Sequence, residues 1–463
     1  MKTSNPVRSC SSMVASDKVT QTGDLILAKN SDRPLNEAQP LCYYPASDYE
    51  NGAEVQCTFI TIPQVSHTYA CIGSRPYVFF GFEHGVNEWG VAIGNEQVSG
   101  KEIPERQWGL IGMDILRLAL ERANTAQMAV EVMGNLLESY GTGGDPGTRI
   151  SAFNCNYIIA DGKEAYLFES HQRSWVAKKV DKVGYLSNCY SIGDDYTYIG
   201  ASVVQEAEEK GWILPGQAFV PRNAWTIDDC IFGEAEGFAR YARMQELMNP
   251  EKPFGLERMM KNLRDHYEDT FLANIPYSPA SAKFPSICSH PGGTSGCATA
   301  ASMVTILRKD VPKEMHFTYW ASMAPPCCSI FHPYYNTGKL SDPLQNAGPL
   351  YREHDAWWRF VELERYVALN YQEFAPKVKE RFANLEKEFI QESQHVEMNY
   401  DGDAFQLQSF SDSCFQRSFD LCISLIHDIK GRLKTKDIDR LLLRYFLESS
   451  NGCGMPYDQN TIK

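Results

Sequence analysis

The chain has 463 residues, of which 43% are hydrophobic and 22% charged, so it is long enough for one large domain with an appendage or for about two to three smaller domains. Its formal net charge of −14, without a basic run, argues against a nucleic-acid partner. No apolar run approaches the roughly 20 residues needed to span a bilayer, and residues 1–9 lack the apolar core of a signal peptide. We therefore expect a cytoplasmic protein that does not bind membranes.

The first predicted strand pair carries the first candidate site. Cys10 leads a short apolar strand, a turn at Gly23 reverses the chain, and a second apolar run ends at Lys29 and Asp32. This hairpin predicts that one thiol lies close to one cation and one carboxylate.

A nucleophilic Cys10 needs a base, because an ordinary thiol has a pKa of roughly 8.5. Lys29 supplies a positive charge, but the first histidine of the chain is His67. If Cys10 were the first residue of the mature chain, its α-amine, with a pKa of about 7.7 to 8.0, could accept the thiol proton, and Asp32 could hold that amine. An inert buried cysteine is the alternative, since free cysteines are commonly buried.

Several further motifs follow the hairpin in order. They occupy residues 74–76, 85–96, 160–165 with Glu169 beyond them, 187–188 and 299–304. Together with Cys10 and the run Ala-Lys-Asn-Ser-Asp-Arg-Pro at 28–34, they resemble the secernin and dipeptidase A family. That family consists of cysteine N-terminal-nucleophile (Ntn) amide hydrolases distantly related to penicillin V acylase and bile salt hydrolase. The resemblance covers about residues 10–330 and, more loosely, the rest of the chain.

Periodicity predicts strands in the first half and amphipathic helices over 109–123 and 125–140, the second with an N-cap at Thr125 and a stop at Gly141. Further helices are predicted over 226–248, 256–268, 354–370, 378–394, 416–430 and 435–448. The apolar faces of these helices would be buried if the helices covered two sheets. The resemblance implies an α+β fold, a four-layer αββα sandwich of two mostly antiparallel sheets. We expect a propeptide over 1–9, the sandwich over 10–335 and a helical C-terminal extension over 350–463 packed on it.

Two asparagines are candidate oxyanion donors. Asn95 is predicted to end a strand where its amide can face a cleft, and Asn188 follows another strand. The resemblance assigns both of them to stabilising the negative oxygen of a tetrahedral intermediate. The residues alone leave open a turn-capping role for Asn95 and a buried, fully hydrogen-bonded amide for Asn188.

The resemblance implies that Cys10 attacks a small peptide or amide substrate after removal of residues 1–9, with Asp32 orienting the amine. A dipeptidase is the first expectation. An N-acyl amide hydrolase or acyltransferase of the penicillin acylase type is an alternative, as is a non-catalytic scaffold or trafficking factor. No cofactor is expected, and the sequence leaves open whether the chain forms a homo-oligomer.

Lys29 and Arg264 are the candidate substrate-binding residues. Lys29 stands where more distant relatives have arginine, and it could meet a substrate carboxylate only as a point charge. The bile salt hydrolase relatives carry a functional arginine after Asn188. The sequence does not decide between Arg240, Arg243 and Arg264.

The fourteen cysteines are dispersed along the chain, so we expect reduced thiols rather than a disulfide framework. Those in apolar surroundings are expected in the core, namely Cys155, Cys189, Cys230, Cys414 and Cys422. The best metal candidate combines Cys288, His290 and Cys297, but it lacks a fourth ligand at suitable spacing. No metal is therefore expected.

Overall fold

The computed structural model describes residues 10–102, 107–144, 153–227, 233–274, 277–279, 284–290, 297–434, 437–438 and 440–458. No helix within these ranges has the length and apolar character needed to cross a membrane. The cysteines in them are free thiols, as expected, and Cys230 lies outside the described residues.

The strands belong to two large sheets and two small hairpin-like pairs. They are β1 (Ser11–Ala15), β2 (Leu25–Pro34), β3 (Leu41–Tyr44), β4 (Ser47–Asp48), β5 (Glu54–Gln56), β6 (Thr61–Pro63), β7 (His67–Thr68), β8 (Cys71–Ser74), β9 (His84–Asn87), β10 (Ala92–Val98), β11 (Asn154–Ala160), β12 (Ala165–His171), β13 (Ser174–Lys179), β14 (Val183–Leu186), β15 (Tyr198–Ile199), β16 (Cys297–Leu307), β17 (Phe317–Met323) and β18 (His332–Tyr334).

The two large sheets are antiparallel throughout. The six-stranded sheet has the order β14-β1-β2-β16-β17-β18, and the eight-stranded sheet has the order β15-β13-β12-β11-β10-β9-β8-β3. Strands β1 and β14 of the first sheet pack on β10, β11 and β12 of the second, so the sheets lie face to face.

Helices cover both outer faces of the sheet pair. The helices are α1 (Gly112–Arg122), α2 (Ala126–Tyr140), α3 (Val203–Glu209), α4 (Pro221–Trp225), α5 (Gly233–Leu247), α6 (Leu256–Leu263), α7 (Asp342–Gln345), α8 (Ala356–Leu369), α9 (Tyr371–Met398), α10 (Ala404–Arg432) and α11 (Arg440–Cys453). Helices α1 and α2 pack on the eight-stranded sheet, while α5 and α6 pack on the six-stranded sheet. The predicted αββα sandwich is confirmed.

The C-terminal helices form the extension that the apolar stripes predict. Helix α8 is buried along its whole length and contacts α9, α10, α11 and β17. Strand β18, at the edge of the six-stranded sheet, is covered by α9 and α10. The extension therefore packs on the edge strand of this sheet.

Several helix boundaries differ from prediction, and two of these differences have identifiable reasons. The predicted helix over 226–248 is wrong at its start. Pro221 initiates the separate helix α4, and Thr226, which follows that helix, has an extended backbone with φ −68° and ψ 140°. Residues 228–232 lie outside the described part of the chain. Helix α9 begins seven residues before the prediction at Val378, since Pro376 interrupts the sequence pattern but is accommodated inside the helix.

The prediction that Asn95 ends its strand is also wrong. Strand β10 continues to Val98, because residues 95–98 remain paired with residues 154–157 of β11. Asn95 therefore lies in mid-strand and is buried.

Candidate active site

The predicted β1–β2 hairpin is confirmed, and it sets the position of Cys10. Ser11 pairs with Asn30 and Ser12 with Lys29, so Cys10 stands just before the paired region, opposite the end of β2 that carries Asp32. Gly23, with φ +77°, takes the left-handed conformation that the connection between the strands needs. Because β2 is paired on its other side with β16, these residues lie inside the six-stranded sheet and are buried.

Cys10 lies among polar groups. Its backbone N–H donates to Oδ1 of Asn188 at 2.8 Å, and its Sγ accepts from the backbone N–H of Asp32 at 3.4 Å. Cys10 is only 3% exposed. The structure thus brings three of the four predicted catalytic residues together, although they are distant in the sequence.

The charge state of the Cys10 thiol depends on two opposed effects. Burial raises the pKa of Cys10 to about 11, while the positive charge of Lys29 acts to lower it. Burial also opposes the charge on Lys29, but the neighbouring thiol and carboxylates nevertheless raise the pKa of Lys29. Lys29 is therefore a fixed cation beside a thiol that needs a base before it can act as a nucleophile.

Asp32 is held by a residue of the neighbouring strand. The hydroxyl of Thr299 donates to Oδ1 of Asp32 at 2.6 Å. The register between β2 and β16 shifts between Thr299 and Ala301, which marks a β-bulge at Ala300. Bulges turn a side chain away from the regular pleat. Here the bulge sits beside the residue that contacts Asp32.

Lys29 and Asn95 are linked across the two sheets. The ammonium group of Lys29 donates to the backbone oxygen of Asn95 at 2.5 Å and lies 3.7 Å from Oε2 of Glu83. With its side-chain nitrogen facing Glu83, Asn95 donates to the backbone oxygen of Glu83 at 3.0 Å and to Oε2 at 2.7 Å. A Cβ at Gly94 would lie 2.6 Å from Cδ of Lys29, so the missing side chain makes room for the lysine.

Asn188 is fixed from two directions. Its Nδ2 donates to the backbone oxygen of Gln97 at 2.6 Å, and its Oδ1 accepts from Nη2 of Arg240 at 2.7 Å. Arg240 also donates through Nη1 to the backbone oxygen of Cys10 at 2.5 Å. Helix α5 can approach this closely because Gly237 stands one turn before Arg240, where a Cβ would lie 2.7 Å from the oxygen of Asn188.

Glu96 is an additional buried acid that the sequence reasoning did not select. Its side chain accepts a hydrogen bond from the hydroxyl of Ser12, and burial raises the pKa of Glu96 to about 7 against the opposing charge of Lys29. Its place in a strand that begins with apolar residues and is predicted to be buried was the available signal. Glu83 was missed too, and it pairs with Arg33 at 2.8 Å.

Of the three candidate arginines, Arg240 is the one that contacts Cys10. Arg243 instead pairs with Asp265 at 2.5 Å. Arg264 forms a two-pronged pair with Glu386 of α9, at 2.8 and 2.7 Å, and donates to the backbone oxygen of Pro326. The described contacts of Arg264 therefore join the sandwich to the helical extension.

A cavity lies beside Thr299, between the end of β2 and helix α8. Two arginines, Arg33 and Arg365, line it together with Thr299, which also contacts Asp32. Glu364 lines it as well, so its wall combines charged residues of both signs with a residue of the candidate site.

The candidate set of Cys288, His290 and Cys297 is wrong in one member, and further partners come from other parts of the chain. The ligand atoms of Cys288 and His290 lie with those of His266 and Cys327, all within 4.8 Å of one another, whereas Cys297 is not part of this group. The missing partners are distant in the sequence, which explains why spacing alone did not identify them.

Comparisons with known proteins give distant relatives. No family model matches the chain. A probable dipeptidase of Salmonella dublin is 20% identical over 399 residues, covering 75% of this chain and 85% of the relative. A probable dipeptidase B of Streptococcus pyogenes serotype M1 is 25% identical over 154 residues, covering 32% of this chain and 30% of the relative. Among solved structures, a mutant of the conjugated bile acid hydrolase from Clostridium perfringens has a TM-score of 0.37 and 13% identity, covering 68% of this chain and 89% of the other.

Proposed function

We propose that this chain is a cysteine-nucleophile peptide hydrolase that cleaves dipeptides and is activated by removal of residues 1–9. The observation that carries the proposal is the arrangement at Cys10. Its nitrogen contacts Asn188, and its sulfur contacts the backbone of Asp32 beside the buried cation Lys29. The names of the two distant dipeptidase relatives support the substrate class.

In the proposed reaction the free α-amine of Cys10 takes the proton from the thiol as Sγ attacks the substrate carbonyl carbon. The new carbon–sulfur bond creates a tetrahedral intermediate with a negative oxygen. Collapse breaks the carbon–nitrogen bond, and the ammonium group returns the proton to the departing amine. The same amine then deprotonates water, which hydrolyses the thioester and regenerates Cys10.

Asn188 is proposed to serve both the amine and the intermediate. Its Oδ1 would hold the α-amine of Cys10, in the position where it now accepts the Cys10 N–H. A side-chain amide has two N–H donors, and the 2.6 Å bond to Gln97 uses one. The second would stabilise the oxyanion, an interaction that typically contributes about a hundredfold to a thousandfold in rate.

The other predicted site residues take narrower roles in this proposal. Asp32 would orient the amine, and Lys29 would supply the positive field that favours the thiolate. The amide of Asn95 is engaged by Glu83, so a part for Asn95 in binding the oxyanion would require that contact to open.

The cavity beside Thr299 supports a substrate that carries a carboxylate. A dipeptide has one at its C-terminus, and the cavity is lined by Arg365 and by Arg33, which is paired with Glu83, together with one acidic residue, Glu364. Arginine binds carboxylates well because its planar fork matches their geometry. A dipeptide should therefore be preferred over its C-terminal amide.

One observation favours the alternative of a non-catalytic scaffold. Burial raises the pKa of Cys10 to about 11, which is the behaviour of an inert thiol. Alkylation separates the two hypotheses, since an active-site Cys10 should react with iodoacetamide and an inert Cys10 should not.

The proposal is tested by a hydrolysis screen of dipeptides, their C-terminal amides and N-acyl amino acids, followed by quantifying the released amines. We expect cleavage of dipeptides by the wild-type protein and none by Cys10→Ala. Cys414→Ala, which alters another buried cysteine in helix α10, should retain activity. If the protein cleaved only N-acyl amino acids, these and not dipeptides would be its substrate class. If Cys10→Ala were as active as the wild type, the proposed mechanism would be refuted.

A further inference from the structure

A second cluster of reactive side chains lies apart from Cys10. It consists of His266, Cys288, His290 and Cys327, here called the two-histidine, two-cysteine cluster, and all four residues are buried. Nε2 of His290 lies 3.6 Å from Sγ of Cys288 and 3.1 Å from Sγ of Cys327. In a tetrahedral zinc site with these ligands, nitrogen and sulfur atoms are about 3.5 Å apart. The cluster therefore has approximately the dimensions of such a site.

The fourth member supplies an independent observation. Nε2 of His266 is buried and has no hydrogen-bond partner among the described residues, while the side chain of His266 is only 1% exposed. Leaving a buried polar atom unpaired is unfavourable, because the atom loses its hydrogen bond to water and gains none in the protein. A ligand bound by this nitrogen would remove that penalty.

Both histidines have a carboxylate on the far side of the ring. Nδ1 of His266 lies 3.1 Å from Oε1 of Glu268, and Nδ1 of His290 lies 3.8 Å from Oε1 of Glu364. In metal sites the ring nitrogen that does not bind the metal commonly donates to a carboxylate, which fixes the tautomer and the ring orientation. The hydrogen bond between Nδ1 of His266 and Glu268 thereby leaves Nε2 of His266 to act as a ligand, whereas Nδ1 of His290 faces Glu364 beyond hydrogen-bond distance.

We propose that the two-histidine, two-cysteine cluster binds one structural Zn²⁺ ion. Two thiolates and two neutral imidazoles form a neutral site with Zn²⁺, and binding releases the two thiol protons to water. Four protein ligands fill a tetrahedral shell and leave no open position, which is typical of a structural rather than a catalytic site.

The proposed ion would join three separate segments. His266 follows α6, Cys288 and His290 lie in the segment 284–290, and Cys327 lies in the short 3-10 turn Pro326–Cys328. Glu364, behind His290, belongs to helix α8. The ion would thus crosslink the sandwich where the helical extension packs against it.

The cluster is also connected to the candidate active site. Ser289, between two of the ligands, donates its backbone N–H to the hydroxyl of Thr299 at 3.0 Å, and that hydroxyl donates to Asp32. In addition, the side chain of Asn30 donates to the backbone oxygens of Leu263 and Ile287 at 2.8 Å each. Loss of the ion should therefore loosen the support of β2.

Metal analysis of the full-length protein, expressed with added zinc and purified without chelator, tests the inference directly. Inductively coupled plasma mass spectrometry should find about one zinc per chain in the wild type and in the control Cys414→Ser. The Cys288→Ser and His266→Asn variants should each contain at least about tenfold less zinc per chain than the wild type. A metal-free wild type, or one with a Cys288–Cys327 disulfide, would overturn the assignment.

A second measurement uses the unaltered protein, so that misfolding of a variant cannot decide the result. Zinc is removed with a chelator and replaced with Co²⁺. A tetrahedral site with two thiolates should give a thiolate-to-cobalt absorption band, and Zn²⁺ but not Mg²⁺ should restore the Tm of the stripped protein. Absence of the band, or equal restoration by Mg²⁺, would contradict the proposed ligands.

Discussion

The backbone N–H of Cys10 donates a 2.8 Å hydrogen bond to the side-chain oxygen of Asn188. The same oxygen accepts from Arg240, which also contacts the backbone oxygen of Cys10. The backbone N–H and the backbone oxygen of residue 10 are thereby both held by residues far away in the sequence. This arrangement would position an α-amine in the same place once the preceding residues are removed.

The hydroxyl of Thr299 should matter for turnover rather than for substrate binding. Thr299→Val removes the donor to Asp32, and a hydrogen bond to a charged group contributes about 1.5–3 kcal/mol, so kcat for dipeptide cleavage should fall about tenfold or more with little change in KM. Thr299→Ser should restore most of kcat, because it keeps the hydroxyl.

Thr305 gives the matched control for that prediction. It lies on the same strand, is fully buried, and its hydroxyl has no hydrogen-bond partner among the described residues. Thr305→Val should leave kcat near the wild-type value. If both valine variants lost activity equally, a general disturbance of β16 would explain the effect and the role of Thr299 would be refuted.

Substitution of Arg240 should lower catalytic activity, whereas substitution of Arg264 should lower stability. Lysine cannot reproduce the two-pronged contacts of arginine, so Arg240→Lys should weaken the hold on Cys10 and Asn188 and lower kcat about tenfold. Arg264→Lys should lower the Tm through its lost pair with Glu386, with kcat and KM nearly unchanged. Steady-state kinetics and thermal unfolding of both variants check this. An increased KM in Arg264→Lys alone would restore the sequence-based choice of Arg264 as a substrate ligand.

Glu96 should make the protein less stable as the pH rises. Burial raises the pKa of Glu96 to about 7 in the folded state, above the value of roughly 4.3 expected when unfolded. The folded state then holds the proton more tightly, so the stabilisation is complete below about pH 4 and is lost as the pH rises towards and through about 7. Glu169, whose pKa burial also raises to about 7, acts in the same direction.

Glu96→Gln, which cannot ionise, should flatten this pH dependence between about pH 4 and 7. Urea unfolding at several pH values measures the free energy of unfolding for each variant. Glu131→Gln, at an exposed position of α2, should show the wild-type profile. An unchanged slope in Glu96→Gln would mean that Glu96 remains ionised in the folded protein.

Local sequence signals predicted much of the fold. The N-cap Thr125 accepts from the backbone N–H of Met128 at 3.1 Å, and Gly141, with φ +66°, ends helix α2 as expected. The hairpin that carries Cys10 was predictable because its turn and its two apolar runs are local. Periodicity also identified the buried stripe of α8, since a helix face can be read from spacing alone.

Long-range contacts could not be predicted in the same way. Nothing in the local sequence shows that a β-bulge at Ala300 lies beside the residue that contacts Asp32, or that Arg240 and not Arg264 reaches Cys10. His266 and Cys327 could not be predicted as partners of Cys288 and His290, because only tertiary packing brings these four residues together. These contacts depend on how the layers pack against each other.

In the proposed mechanism the α-amine of Cys10 becomes the catalytic base. Intact-mass spectrometry of the purified protein, compared with Cys10→Ala, tests it most directly. We predict that the wild type lacks residues 1–9 and begins at Cys10, while Cys10→Ala retains them. A wild-type chain that keeps residues 1–9 and still hydrolyses dipeptides at full rate would rule out the α-amine of Cys10 as the base.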